Sequence, residues 1–181
     1  YTSIQSASFN APASDVLEIK LAKNVVLSSI QLLDDRNTII GGGYDTCFDA
    51  TPSGRTVLDG IGFNGPIFVP VESTSQTSEV QLVFNDLEIT EGNSNTSGGA
   101  IAIKGSWKLS LNNVWMHHNA SNGNGGAISM ESSSNLDVLD PWLVIDNSSI
   151  ISFNSADNGG GLACDGGGRI DARNMQITVN Q

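Results

Sequence analysis

The sequence predicts an all-β fold, a right-handed parallel β-helix (a solenoid) with three short strands per coil and about six to seven coils. Three observations lead there. A Gly-Gly element recurs at fixed spacing, apolar residues fall into columns when its copies are stacked, and the composition favours strands and turns. Only 15% of residues are charged, and the polar share falls to Asn, Ser, Thr and 20 Gly, poor helix-interior residues. The 39% hydrophobic share is enough for a core, which argues against general disorder.

The repeat is Gly98-Gly99-Ala100-Ile101, Gly125-Gly126-Ala127-Ile128 and Gly159-Gly160-Gly161-Leu162, at separations of 27 and 34 residues. Upstream of each copy lies an Asn: Asn93, Asn119 and Asn154. Further upstream Asp86, Asn113, Asn147 and Asn174 are spaced 27, 34 and 27. In that register Leu82, Leu109, Leu143 and Ile170 align, as do Phe84, Leu111, Ile145 and Ala172. Past the Asp/Asn position come Leu87, Val114, Ser148 and Met175, then Ile89, Met116, Ile150 and Ile177. After the glycines come Ile101, Ile128 and Leu162, then Ile103, Met130 and Cys164. These positions alternate with polar or small ones, the period of a half-buried strand.

The corners follow from turn chemistry. Asn113, Asn147 and Asn174 suit a sharp bend because Asn tolerates the left-handed region, and their stacked amides are expected to hydrogen-bond along the axis. The pairs Gly98/Gly99, Gly125/Gly126 and Gly159/Gly160 mark another corner, of positive φ or close backbone approach. The longer period carries a seven-residue insertion, assigned to a projecting loop over 131–142. Earlier, 16–19, 25–27, 37–40, 56–58 and 67–71 read as strands of less regular coils. The chain thus reads as a single domain over 1–181, with irregular N-terminal coils over 1–60 and regular coils over 61–181, part of a longer, processed precursor.

The GGA[ILV] element preceded by an Asn-containing stretch resembles the repeat of the polymorphic outer-membrane proteins. GGAI occurs twice, the third copy departs at Gly161, and only elements of that family's FxxN appear, at Phe153-Asn154. Gly41-Gly42-Gly43-Tyr44-Asp45 followed by Thr56-Val57-Leu58-Asp59-Gly60 is similar to the opening coils of bacterial pectin-lyase-like proteins. The resemblance covers roughly residues 35–180 and implies a secreted or bacterial cell-surface location. Its superfamily includes adhesins, autotransporter passengers and polysaccharide-cleaving enzymes.

The side chains are less informative about function. A net charge of −11 disfavours nucleic acid and anionic membranes as partners, and the apolar runs are too short to insert in a bilayer. No cofactor or metal is expected: His117-His118 has no partner at ligand spacing, and Glu131, Asp137 and Asp140 are irregularly spaced. Asp34-Asp35-Arg36 reads as a solvated turn. The strand after the glycines turns out Ala100, Ala102, Ala127, Ser129, Gly161 and Ala163, a face bare of catalytic groups. After the Asn corner the outward residues are Glu88, Trp115, Ser149 and Gln176, so Glu88 and Trp115 become neighbours, a carboxylate beside an indole suited to sugar. Trp107 and Trp142 share the corner of the long loop, either packed on each other or open to a ligand. Cys164 is expected to be a buried thiol, too far from Cys47 to bridge.

These features point to a non-enzymatic adhesive or structural module that presents 91–97 and 131–142 to a host protein, cell-surface protein or glycan. A carbohydrate-binding or carbohydrate-cleaving domain is the second expectation. A fibre subunit that self-associates through its coil ends is the third.

Overall fold

The computed structural model describes residues 16–23, 31–33, 36–46, 48–73, 78–135, 138–146 and 148–181. Asp34, Asp35, Cys47, Asp137 and Asn147, and the expected strand over 25–27, lie outside them. The described residues contain strands and no helix.

Among the described residues nineteen strands form four sheets, and every pairing between these strands is parallel. Sheet I joins β1 (Val16–Ala22), β3 (Asn37–Tyr44), β6 (Val80–Asn85), β10 (Trp107–Asn112), β14 (Trp142–Asp146) and β18 (Arg169–Ala172). Sheet II joins β4 (Thr56–Asp59), β7 (Leu87–Thr90), β11 (Trp115–His117), β15 (Ile150–Ser152) and β19 (Gln176–Thr178). Sheet III is short, with β8 (Asn93–Ser94), β12 (Ala120–Asn124) and β16 (Ser155–Asn158). Sheet IV joins β2 (Gln31–Leu33), β5 (Phe68–Pro70), β9 (Ile101–Lys104), β13 (Ile128–Glu131) and β17 (Leu162–Asp165). From β6 onward the chain visits sheets I, II, III and IV in turn and begins again. A regular circuit therefore holds four strands, not the expected three. The strand that the sequence hides is two to five residues of Asn, Ser, Ala, Gly and Asp, with no apolar alternation to announce it.

Most of the predicted columns are in register. Leu82, Leu109, Leu143 and Ile170 are successive partners, as are Ile101, Ile128 and Leu162. All but Leu162 and Ile170 of these are fully buried, in one core with Phe84, Leu111, Met116 and Ile145. In the circuit of β14–β17 the register slips by one. Lys108 pairs with Trp142, but Met116 pairs with Ile151 rather than Ile150. The left-handed corner column is thus Asp86, Asn113, Ser148 and Asn174, with Ser148 in the place expected for Asn147. Ser149 moves from the outward to the inward column and is fully buried. Its hydroxyl is satisfied, donating to the Asp146 carbonyl at 2.9 Å and accepting from the Val114 amide at 3.1 Å. A one-residue slip inside a strand would turn its whole apolar face to water, so corners and bulges must absorb it. The β12–β16 pair restores the original offset through a register shift between Ser121 and Asn124.

The expected amide ladder at the first corner also moves. Asn113 donates instead to Asp86 Oδ1 at 2.6 Å. The buried ladder runs at the next corner, through Gly92, Asn119, Asn154 and Asn180. Each Asn side chain there accepts from the backbone amide one circuit earlier and donates to backbone carbonyls. Asn93 stands outside it, opposite Ala120. The paired glycines divide two tasks. Gly98, Gly125 and Gly159 take φ of 67°, 67° and 63°, whereas a Cβ on Gly99 or Gly126 would stand 2.2 or 2.1 Å from the carbonyl oxygen of Gly126 or Gly160.

Candidate ligand-binding cleft

Sheet II presents its outward side chains beside the turn that leads into β4. Pro52, Gly54 and Arg55 of that turn face Asp86, Glu88, Asn113 and Trp115 across an open cleft of about 500 Å³. Glu88 and Trp115 are direct partners of β7 and β11, so their expected adjacency holds. Alternation in these strands turns Leu87, Ile89 and Met116 inward and leaves Glu88 and Trp115 half-buried on the outer side.

The polar groups of the cleft are held in order. Arg55 donates from Nε to the Asn113 carbonyl at 3.0 Å and from a terminal nitrogen to Asn113 Oδ1, and Asn113 passes a hydrogen bond to Asp86. The Trp115 indole N–H donates to Ser152 Oγ at 3.2 Å. One face of Trp115 packs on the His117 ring at 4.0 Å between centroids. His117 Nε2 lies 3.1 Å from Glu88 Oε1. An aromatic ring braced from behind, beside a guanidinium, a carboxylate and an amide, has the makings of a sugar-binding surface.

Comparison with family models, curated proteins and solved structures finds no match to this chain.

The other predicted site residues separate. Trp107 and Trp142 do not pack on each other, because the register sets Trp142 opposite Lys108 and Trp107 opposite Val80. Trp107 points inward with Leu109 and Leu111, is fully buried, and donates its indole N–H to the Val71 carbonyl at 2.9 Å. It has no surface to offer a ligand. Trp142 points outward and is covered by Lys108, 3.8 Å above its ring, and by Arg169 at 4.5 Å, a cation–π sandwich that occupies it.

The face after the paired glycines is less open than expected: Ala100 and Ala127 are fully buried and Ser129 nearly so. Beyond it Lys104 lies 3.9 Å from Glu72 and 3.7 Å from Glu131 across a second groove of about 380 Å³. Cys164 keeps its register opposite Met130 but is exposed, since no described strand pairs with the far edge of β17. Partial desolvation pushes its thiol pKa up, partly offset by the Gly168 backbone N–H, and Asp140 and Asp165 push the same way as desolvation. Among the described residues no group of three or more His, Cys, Asp or Glu is placed to hold a metal.

Sequence reasoning left His117 and His118 without partners. His117 in fact touches Glu88, Thr90, Trp115 and His118. The available signal was the spacing of 29 between Glu88 and His117, one circuit plus two residues along the outer face.

Proposed function

We propose that this chain is a right-handed parallel β-helix module of a secreted or bacterial cell-surface protein, of the polymorphic outer-membrane type, and that it serves as a rigid adhesive scaffold. The register-locked stacking of four parallel sheets supports this reading, because it makes a stiff body whose loops are held at set intervals. Parallel strands joined within one sheet cross over right-handedly in about 98% of cases, which supports the hand. The loops over 91–97 and 131–142 are the surfaces offered to a host protein, a cell-surface protein or a glycan. The test is binding of the purified chain to host cells, with loop-exchanged variants as controls. Saturable binding lost on exchange of either loop is expected. Binding that both exchanges leave unchanged would remove the loops from the proposal.

The Trp115 cleft favours a second reading, carbohydrate binding. Trp115 would stack on a sugar ring while Arg55, Asn113 and Glu88 bond its hydroxyls. On a glycan array Trp115→Ala should abolish retention of the cognate sugar. No retained sugar with the intact chain would end this reading. Release of unsaturated product from a uronic-acid polymer, lost on Glu88→Ala, would make the domain an enzyme instead.

A further inference from the structure

We propose that His117 and His118 bind a divalent transition-metal ion, Cu²⁺ in preference to Zn²⁺, through their two Nδ1 atoms, with Glu88 orienting His117 from behind. Consecutive residues of a strand normally point to opposite sides. His118 has a φ of 54°, which breaks that alternation and brings the two Nδ1 atoms to 2.7 Å. This corner is left-handed in each of four circuits, at Glu91, His118, Phe153 and Val179. The conformation therefore belongs to the fold, and this circuit is the one that fills it with the chain's two histidines.

Both rings are held in place. His117 packs on Trp115, and His118 stacks on Phe153 with centroids 5.6 Å apart and planes 11° from parallel. Glu88 Oε1 stands 3.1 Å from His117 Nε2, where it accepts a hydrogen bond from the N–H and leaves the Nδ1 lone pair facing His118. A carboxylate behind a ligating imidazole fixes its tautomer and strengthens it as a donor. Thr90 Oγ1, 3.2 Å from His117 Nδ1, adds an oxygen on the same side. His118 is exposed and His117 is not, so an ion enters past His118 and completes its coordination with water.

The imidazole donors select the ion. Cu²⁺ leads the divalent series in affinity for imidazole. Without metal the two Nδ1 atoms share a hydrogen bond. On binding, that hydrogen shifts to His118 Nε2, so both rings ligate as neutral imidazoles.

The test is titration of the untagged full chain with CuCl₂ and, separately, ZnCl₂, followed by calorimetry and, for copper, electron paramagnetic resonance. One equivalent of Cu²⁺ should give a square-planar spectrum with coupling to two nitrogens, and Zn²⁺ should bind more weakly. His118→Ala should remove one nitrogen coupling and weaken binding by at least about tenfold, and Glu88→Gln should weaken it by about tenfold to hundredfold. His118 is exposed, so circular dichroism should show that variant folded even where a His117 variant is not. An unchanged spectrum and affinity in His118→Ala, or Zn²⁺ bound as tightly as Cu²⁺, would overturn the proposal.

Discussion

Asn154 is a side chain on which several buried polar groups depend. Its oxygen accepts from the backbone and side-chain amides of Asn119, and its amide donates to the carbonyls of Met116 and Ser152. Asn154→Ala would strand these partners away from water, each at about 1–3 kcal/mol. A net loss of about 3 kcal/mol in urea denaturation is expected, and a loss under about 0.5 kcal/mol would show that water replaces the ladder. At Cys164 the raised thiol pKa leaves less thiolate at neutral pH than an ordinary cysteine has. Iodoacetamide labelling of Cys164, read by peptide mass spectrometry, should therefore be slower at pH 7 than that of an unstructured cysteine peptide. The gap should close as the pH rises through the thiol pKa. Equal rates at pH 7 would contradict the desolvation.

Strands divide into an inner and an outer side, and substitutions should divide with them. Ile128 lies between Ile101 and Leu162 and is fully buried. Ile128→Ala should cost about 2–5 kcal/mol, as cavity-forming substitutions do. Ser110 lies between Leu109 and Leu111 on the other side of β10, so Ser110→Ala should stay within about 0.5 kcal/mol. Equal losses from the two would mean that the alternation does not separate core from surface. The short strands of sheet III have no such contrast. What holds them is the amide ladder beside them and the close approach of Gly99 to Gly126, neither of which shows in hydrophobic pattern.

For the molecule as a whole, the proposed stack of equivalent circuits implies that one can be removed intact. Deleting 87–113 joins Asp86 to Val114, which occupies the same register position as Leu87. The shortened chain should keep a β-type circular dichroism spectrum and unfold cooperatively at a lower temperature. Deleting 87–99, which removes part of a circuit, should abolish cooperative unfolding. Survival of both deletions, or of neither, would argue against the stack.

Residues in sheets I and IV were legible in the sequence because burial there rests on period-2 alternation, a local property of the chain. The stacked columns of Leu109 and Ile128 and the adjacency of Glu88 and Trp115 follow from that alternation and the repeat length together. The one-residue slip at Ser148 was not legible, since Asn tolerates a left-handed corner better than Ser does, yet the corner falls at Ser148, in step with the pairing of Met116 with Ile151. The opposite fates of Trp107 and Trp142 follow the same alternation, Trp107 in phase with Leu109 and Leu111 and Trp142 out of phase with Leu143 and Ile145, whereas the meeting of His117 with Glu88 and His118 was not legible. The left-handed corner at His118 turns that side chain toward His117. Its direction depends on which neighbouring circuit the chain must meet, and that is a contact across 27 or more residues rather than a pattern within them.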